Sequence, residues 1–118
     1  MTVAQRMLEH LERRLGEASR AVARDADVSP VTAAVLAEFE RKLMKTRDAL
    51  VATDAVVARE AVVELEQAAD SAKAAALADT GAAHATRDAV AMAHDVICHF
   101  KSTGELLDEP PGVEPGST

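Results

Sequence analysis

Residues 2–30 read TVAQRMLEHLERRLGEASRAVARDADVSP, and this stretch decides the fold class. Its apolar residues recur at alternating spacings of four and three, which is the period of an amphipathic α-helix. They are Ala4, Leu8, Leu11, Leu15, Ala18 and Val22, with Val3 and Met7 widening the stripe. Ser29 followed by Pro30 marks the start of a second helix, because serine caps free backbone N–H groups and proline fits the first helical position. The stretch therefore predicts a helix near 2–24 and another from residue 30 onward.

Further apolar stripes with the same spacing predict helices near residues 30–52, 54–79 and 82–103. The stripe of the second helix consists of Leu36, Phe39, Leu43, Thr46 and Leu50. That of the third consists of Val62, Leu65, Ala69, Ala72 and Ala76, and that of the fourth of Ala83, Thr86, Val90, Ala93, Ile97 and Phe100. The sequence shows no convincing internal repeat, so each helix is predicted from its own stripe.

The boundary between the second and third helices is open, because no glycine or proline interrupts residues 50–61. The heptad stripe of the second helix becomes polar past Leu50, and an apolar stripe resumes in a different phase at Val62. A turn at residues 52–54, capped by Thr53 or Asp54, explains the shift. One continuous helix of about 50 residues that faces two different partners explains it nearly as well.

These stripes predict an all-α fold, an antiparallel bundle of about four helices that forms one domain over residues 1–104. The alternative is a helical hairpin with one long helix, completed by dimerisation. Asp79, Thr80 and Gly81 separate the third helix from the fourth, and Gly104 closes the fourth. Gly16 lies beside the first stripe, where it is either a tolerated defect or a point of close approach by another helix.

Residues 105–118 differ in composition from the rest of the chain, with three prolines, two glycines and four acidic side chains. This composition predicts a disordered acidic tail that has almost no apolar anchors beyond Leu106 and Leu107. Deleting residues 109–118 is therefore expected to leave the melting temperature unchanged in a thermal scan followed by circular dichroism. A drop of several degrees would mean that the tail is docked.

Composition also limits the function. The 118 residues carry a net charge of −7, which disfavours binding to nucleic acid or to an anionic membrane surface. No apolar run reaches the length of about 18 residues that a membrane span needs, and residues 1–20 do not resemble a signal peptide. The single cysteine, Cys98, suits a reducing cytoplasm. The content of alanine, valine, arginine and aspartate suits a bacterial genome rich in G and C.

The apolar residues are mostly small. Alanine accounts for 26 of the residues, whereas there are two phenylalanines and no tyrosine or tryptophan. Alanine favours helices but has little surface to bury, so a homodimer is expected to supply the missing contacts. The valines of helices two and three exceed what one buried stripe requires. The predicted partner or dimer face consists of Val51, Val56, Val57, Val62 and Val63.

Four polar side chains on one face of the fourth helix are the strongest candidates for a metal site: His84, Asp88, Asp95 and His99. Imidazole and carboxylate groups bind zinc or iron, and Glu60 or Glu64 from helix three could complete such a site. Because all four lie on a single helix, the simpler interpretation is a solvated face, and no metal or other cofactor is predicted. Cys98 is interpreted as a small, half-buried structural residue, since Asp95 opposes a thiolate, and His94, one turn away, is interpreted as part of the solvated face.

Two charged clusters are interpreted as solvated faces. The acidic one consists of Glu60, Glu64, Glu66 and Asp70 and could otherwise hold magnesium; the basic one consists of Arg41, Lys42, Lys45 and Arg47 and could otherwise dock a phosphate. Because no catalytic motif is present, the sequence favours a non-catalytic helical protein–protein interaction module in a bacterial cytoplasm, acting as an adaptor, chaperone or regulator. The alternative is a metal-binding sensor or metal-dependent enzyme that uses the His/Asp face of the last helix.

Overall fold

The computed structural model describes residues 2–52 and 54–102, and four α-helices account for nearly all of them. They are α1 (Val3–Arg24), α2 (Pro30–Val51), α3 (Ala55–Ala78) and α4 (His84–Ser102). α1 packs mainly against α4, α2 mainly against α3, and α3 also packs along α4. The predicted all-α bundle is therefore confirmed, with each helix boundary within two residues of its prediction.

The chain breaks between α2 and α3, as the change of phase indicates. α2 ends at Val51, and Asp54 caps α3 by accepting hydrogen bonds from the backbone N–H groups of Val56 (3.0 Å) and Val57 (3.2 Å). The alternative of one long helix across this region is therefore wrong. Thr53, the other predicted cap, lies outside the described residues.

The first two helices begin as their sequences dictate. At the start of α1, Thr2 accepts a hydrogen bond from the Gln5 N–H (3.1 Å), and the Gln5 side chain accepts one from the Thr2 N–H (2.8 Å). This reciprocal pair satisfies two donors that the helix itself leaves free. Ser29 caps α2 by accepting from the Val31 N–H (3.1 Å), with Pro30 in the first helical turn.

The core lies along the centre of the bundle and uses the predicted stripes. Its large members include Met7, Leu11 and Leu15 of α1, Phe39 of α2, Leu65 of α3 and Ile97 of α4. Most of the residues that α3 contributes to the core are alanines: Ala61, Ala68, Ala69, Ala72 and Ala76. Short side chains on α3 let neighbouring helices approach closely, so few large residues are needed to fill the interior.

The first hairpin, α1 and α2, and the second hairpin, α3 and α4, repeat each other with an offset of 54 residues, which the sequence alone does not reveal. Asp25, after α1, accepts hydrogen bonds from the Ala83 N–H (2.7 Å) and the Thr86 hydroxyl (2.8 Å) at the start of α4. Asp79, after α3, accepts the corresponding bonds from the Ser29 N–H (2.8 Å) and the Thr32 hydroxyl (2.7 Å) at the start of α2. Each connection thus caps a helix of the other hairpin.

Ion pairs and burial follow the same offset. Glu12 of α1 pairs with Arg47 of α2, and the equivalent Glu66 of α3 pairs with Lys101 of α4 (2.8 Å). The buried positions Leu8, Leu11, Leu15 and Ala18 of α1 correspond to the buried Val62, Leu65, Ala69 and Ala72 of α3. Likewise Thr32, Leu36, Phe39 and Leu43 of α2 correspond to Thr86, Val90, Ala93 and Ile97 of α4. The bundle therefore has an internal two-fold repeat of helical hairpins.

The two connections touch where the repeat brings equivalent residues together. A Cβ atom added to Gly81 would overlap the backbone oxygen of Asp27, which is the residue equivalent to Gly81 in the first hairpin. Gly81 is therefore required by close approach of one connection to the other. Gly16 is different, because an added Cβ would meet only the side chain of Arg20, at 3.4 Å. The alternative of close approach by another helix is therefore wrong at Gly16, and the tolerated defect stays a prediction.

Several predictions concern residues outside the described part of the chain. These are Gly104 as the end of the last helix, the domain limit at residue 104, and the disordered tail over residues 105–118. None of the helices within residues 2–52 and 54–102 is both long and apolar enough to cross a membrane.

Candidate docking surface

Four valines near the α2–α3 turn are exposed rather than packed inside the bundle. The exposed fraction is 79% for Val51, 62% for Val56, 45% for Val57 and 42% for Val63. Val51 ends α2, and the other three lie within the first three turns of α3. We call these four residues the valine face. Scattered exposed valines are ordinary on a protein surface, whereas a cluster of them is typical of an interaction site.

A groove of about 450 Å³ runs along this part of α3. It is lined by Val56, Arg59, Glu60, Val63 and Glu64. The first four are spaced at i, i+3, i+4 and i+7, so they follow one side of the helix. These four place a valine at each end and two opposite charges between them, and Glu64 follows Val63.

Val62, the fifth residue of the predicted face, does not belong to it. Its side chain is only 2% exposed and packs inside the bundle. Val62 belongs to the buried stripe of α3, together with Leu65 and Ala69, whereas the neighbouring Val63 points outward. Successive residues of an α-helix point about 100° apart, so two neighbouring valines need not lie on the same face. Counting the valines without this rotation placed Val62 on the exposed face.

The internal repeat provides a comparison for the valine face. The residue of α1 that corresponds to Val63 is Glu9, which is exposed. The residue that corresponds to the exposed Leu77 of α3 (59%) is the exposed Ala23. At these two positions the same fold is thus built in α1 with a polar or small side chain, so the fold itself does not require an apolar side chain at positions 63 and 77.

The four metal candidates lie along the outside of α4 and do not converge. His84 Nε2 lies 3.3 Å from a carboxylate oxygen of Asp88, and both side chains are mostly exposed. Asp95 instead contacts His94 (3.2 Å), and His99 packs edge-on against Phe100. Within residues 2–52 and 54–102, no group of three or more His, Cys, Asp or Glu side chains is arranged to hold a metal ion.

His94 links α3 to α4, which the sequence did not predict. Its Nε2 atom lies 2.8 Å from Asp70 Oδ1, and its ring is only 12% exposed. Cys98 Sγ lies 3.5 Å from the same nitrogen, so a Cys–His–Asp arrangement is present. Partial burial, together with the carboxylates of Asp70 and Asp95, raises the pKa of the Cys98 thiol. A raised pKa disfavours the thiolate, which is the form that a nucleophile needs.

Among the described residues, the acidic and basic clusters meet only at Glu64, and most of their other side chains, such as Arg41, Lys45 and Asp70, are exposed as expected of solvated faces. Lys42 and Lys45 of α2 both bind Glu64 Oε1 of α3, at 2.8 and 2.9 Å. Arg41 pairs with Glu38 (2.6 Å), and Glu66 is engaged by Lys101. Glu64 therefore faces α2 and cannot complete a site on α4. In the part of the chain that the structure describes, Arg59 and Glu60 make no ion pair.

Two aspartates of the connections serve a structural purpose that sequence reasoning missed. Hydrogen bonds from the Ala83 N–H and the Thr86 hydroxyl lower the pKa of Asp25. Hydrogen bonds from the Thr32 hydroxyl and the Ser29 N–H lower the pKa of Asp79. The available signal was the spacing from each aspartate to a threonine seven residues later, which occurs in both connections.

No protein-family model, no curated protein and no solved structure matches this chain. A bundle of four helices supports many unrelated activities, so the fold alone assigns none. The function has to be inferred from the surface that the bundle presents.

Acid is expected to destabilise the bundle. The ammonium groups of Lys42 and Lys45 lower the pKa of Glu64 to about 2, from 4.5 for an ordinary glutamate. A carboxyl whose pKa is lowered by folding stabilises the fold above its unfolded value, and this stabilisation is lost as the pH falls through the folded value. The melting temperature should therefore fall between about pH 4.5 and about pH 2.

Two glutamine variants separate this ion pair from general acid denaturation. Glu64→Gln should show a weaker fall in melting temperature over the same pH range than the unmodified chain. Glu9→Gln is the matched control, because Glu9 is exposed and makes no ion pair among the described residues. Identical pH profiles for Glu64→Gln and the unmodified chain would contradict this assignment.

Proposed function

We propose that this chain is a non-catalytic helical protein–protein interaction module, acting as an adaptor, chaperone or regulator in a bacterial cytoplasm. The observation that carries the proposal is the valine face, with Val51, Val56, Val57 and Val63 exposed beside the α2–α3 turn. Burial of apolar surface is the main favourable term in protein association. Side chains at positions i, i+3, i+4 and i+7 form one side of a helix, and on α3 this side carries a valine at positions i and i+7, where another helix can pack.

The polar groups of the bundle support this proposal because most of them stabilise the fold. Asp25 and Asp79 cap helices, and Glu64 and Glu66 bind lysines of neighbouring helices. Cys98 lies next to His94 but has a raised thiol pKa. An enzyme would instead place several polar groups around a concave pocket with activating pKa shifts.

Site-specific photocrosslinking in living cells tests the proposal. A photoreactive benzoyl-phenylalanine in place of Val63 should yield one discrete protein adduct, which mass spectrometry identifies. Position 31 is a matched control, because Val31 is 63% exposed but lies at the other end of α2 from Val51. Position 9 is a second control, because Glu9 is the α1 equivalent of Val63.

The expected result is an adduct from position 63 and none of comparable yield from positions 31 and 9. The adduct can contain a second copy of this chain or a different protein, and either supports an interaction module. The same adducts at similar yield from all three positions would contradict the proposal, because the valine face would then be no more selective than ordinary surface.

A further inference from the structure

We propose that the valine face is occupied by a second copy of this chain, and that the two α3 helices cross in antiparallel orientation about a two-fold axis between Arg59 and Glu60. This inference rests on the proposed function and names the partner of the same surface. If a different protein occupies the valine face instead, the chain should remain monomeric and photocrosslinking at position 63 should capture that protein.

The sequence of the groove is self-complementary under such an axis. In antiparallel helices related by a two-fold axis between residues 59 and 60, Val56 lies opposite Val63 of the second copy. The same axis places Arg59 opposite Glu60 of the second copy, and this ion pair occurs twice. In a two-fold dimer the same patch serves both subunits, so a patch must complement itself. Valine against valine and arginine against glutamate satisfy that condition.

The charges in the groove are available for such a pairing. Arg59 and Glu60 are both exposed, and neither makes an ion pair within residues 2–52 and 54–102. The other acidic side chains of α3 differ, because Glu64, Glu66 and Asp70 each contact a basic or imidazole group of a neighbouring helix. Opposite charges that meet across an interface fix its register and disfavour other partners.

The internal repeat shows that the fold can be built without a valine at position 63. Val63 corresponds to Glu9 on α1, and the pair Arg59–Glu60 corresponds to Gln5–Arg6. An axis at the equivalent point of α1 would bring Gln5 opposite Arg6 of a second copy, with no opposite charges to pair. The self-complementary pattern is therefore present on α3 and absent from the equivalent positions of α1. The two hairpins thus differ in sequence at the surface where the dimer is proposed.

The size of the valine face indicates a dimer that dissociates at moderate concentration. The proposed contact uses one side of a single helix, with two valines and two charged residues from each copy, whereas tight complexes typically bury roughly 1,600 Å². Interfaces at the low end of the range are weak, so we expect a dissociation constant of about 1–100 µM.

Sedimentation equilibrium of the full-length chain over this concentration range tests the inference. The unmodified chain should pass from monomer to dimer as its concentration rises. Val63→Glu copies the residue that α1 carries at this position, so the bundle should remain folded by circular dichroism. It should raise the dissociation constant at least about tenfold, because two carboxylates would be placed against valines. Val31→Glu, the matched control, should change it less than about threefold.

Charge reversal tests the position of the axis. Arg59→Glu alone should weaken the dimer, since a glutamate would then face Glu60 of the second copy at both contacts. The double variant Arg59→Glu/Glu60→Arg restores opposite charges and should recover a dissociation constant within about threefold of the unmodified chain. Failure of the double variant to recover would overturn the assigned axis.

A chain that remains monomeric at about 100 µM would overturn the dimer. Equal effects of Val63→Glu and Val31→Glu would overturn it as well. Neither result alone decides the proposed function, because photocrosslinking at position 63 would still report a different protein on the same surface. A monomer that also gives no selective crosslink would contradict both proposals.

Discussion

Replacing Phe39 with alanine is expected to lower the free energy of unfolding by about 3–5 kcal/mol, the largest effect of any single substitution proposed here. Phe39 has no exposed surface and is the largest of the fully buried side chains. The substitution removes its apolar contacts and leaves a cavity. Its core neighbours on α3 are mostly alanines, whose short side chains cannot move in to fill the space.

Urea unfolding followed by circular dichroism measures this loss, at one low protein concentration so that dimerisation does not contribute. Met44→Ala is the control, because Met44 lies on the same helix but is 53% exposed. Its effect should stay within about 0.5 kcal/mol. A loss below about 1 kcal/mol for Phe39→Ala would mean that Phe39 does not occupy the centre of the core.

The two described glycines should respond to alanine with opposite signs. Gly81→Ala should lower the free energy of unfolding by about 1–3 kcal/mol, because the added Cβ overlaps the backbone oxygen of Asp27 and the two connections must separate. Gly16→Ala should raise it by about 0.5–1 kcal/mol, because alanine favours the helix and the added Cβ meets only the flexible side chain of Arg20.

The same urea titration compares both variants with the unmodified chain. A neutral effect of Gly81→Ala would contradict the close contact between the two connections. It would also argue against the capping of α4 by Asp25 and of α2 by Asp79, which depends on that contact. If Gly16→Ala were destabilising, another helix would have to lie closer to α1 than the structure places it.

The fold was largely predictable because local signals agree with the packing. Ser29 and Pro30 mark the start of α2, and the shift of the apolar stripe between Leu50 and Val62 locates the turn before α3. The internal repeat was not predictable. Few residues are identical at the 54-residue offset, since Leu15 corresponds to Ala69 and Phe39 to Ala93. What repeats is burial, capping and ion pairing, which become visible only when the helices are packed.

The candidate site was predictable in part. A surplus of valines located the face near the α2–α3 turn, but Val62 was placed on the wrong side of the helix. The contacts of Asp70 with His94 and of Glu64 with Lys42 join residues of different helices. Such contacts depend on the rotation of each helix about its axis, which spacing along one helix does not determine. The lack of an ion pair at Arg59 and Glu60 among the described residues, on which the proposed dimer depends, has the same origin.

The most direct measurement of the antiparallel dimer is a distance between spin labels attached at position 77. Leu77→Cys, in a chain with Cys98→Ser, carries one label in the last turn of α3, where Leu77 is 59% exposed. At 1.5 Å per residue, position 77 lies about 26 Å from an axis between residues 59 and 60. Pulsed dipolar spectroscopy should therefore find a label separation of about 50 Å in the dimer, and the signal should disappear in Val63→Glu. A separation below about 25 Å, or one that Val63→Glu leaves unchanged, would contradict the antiparallel pairing of α3.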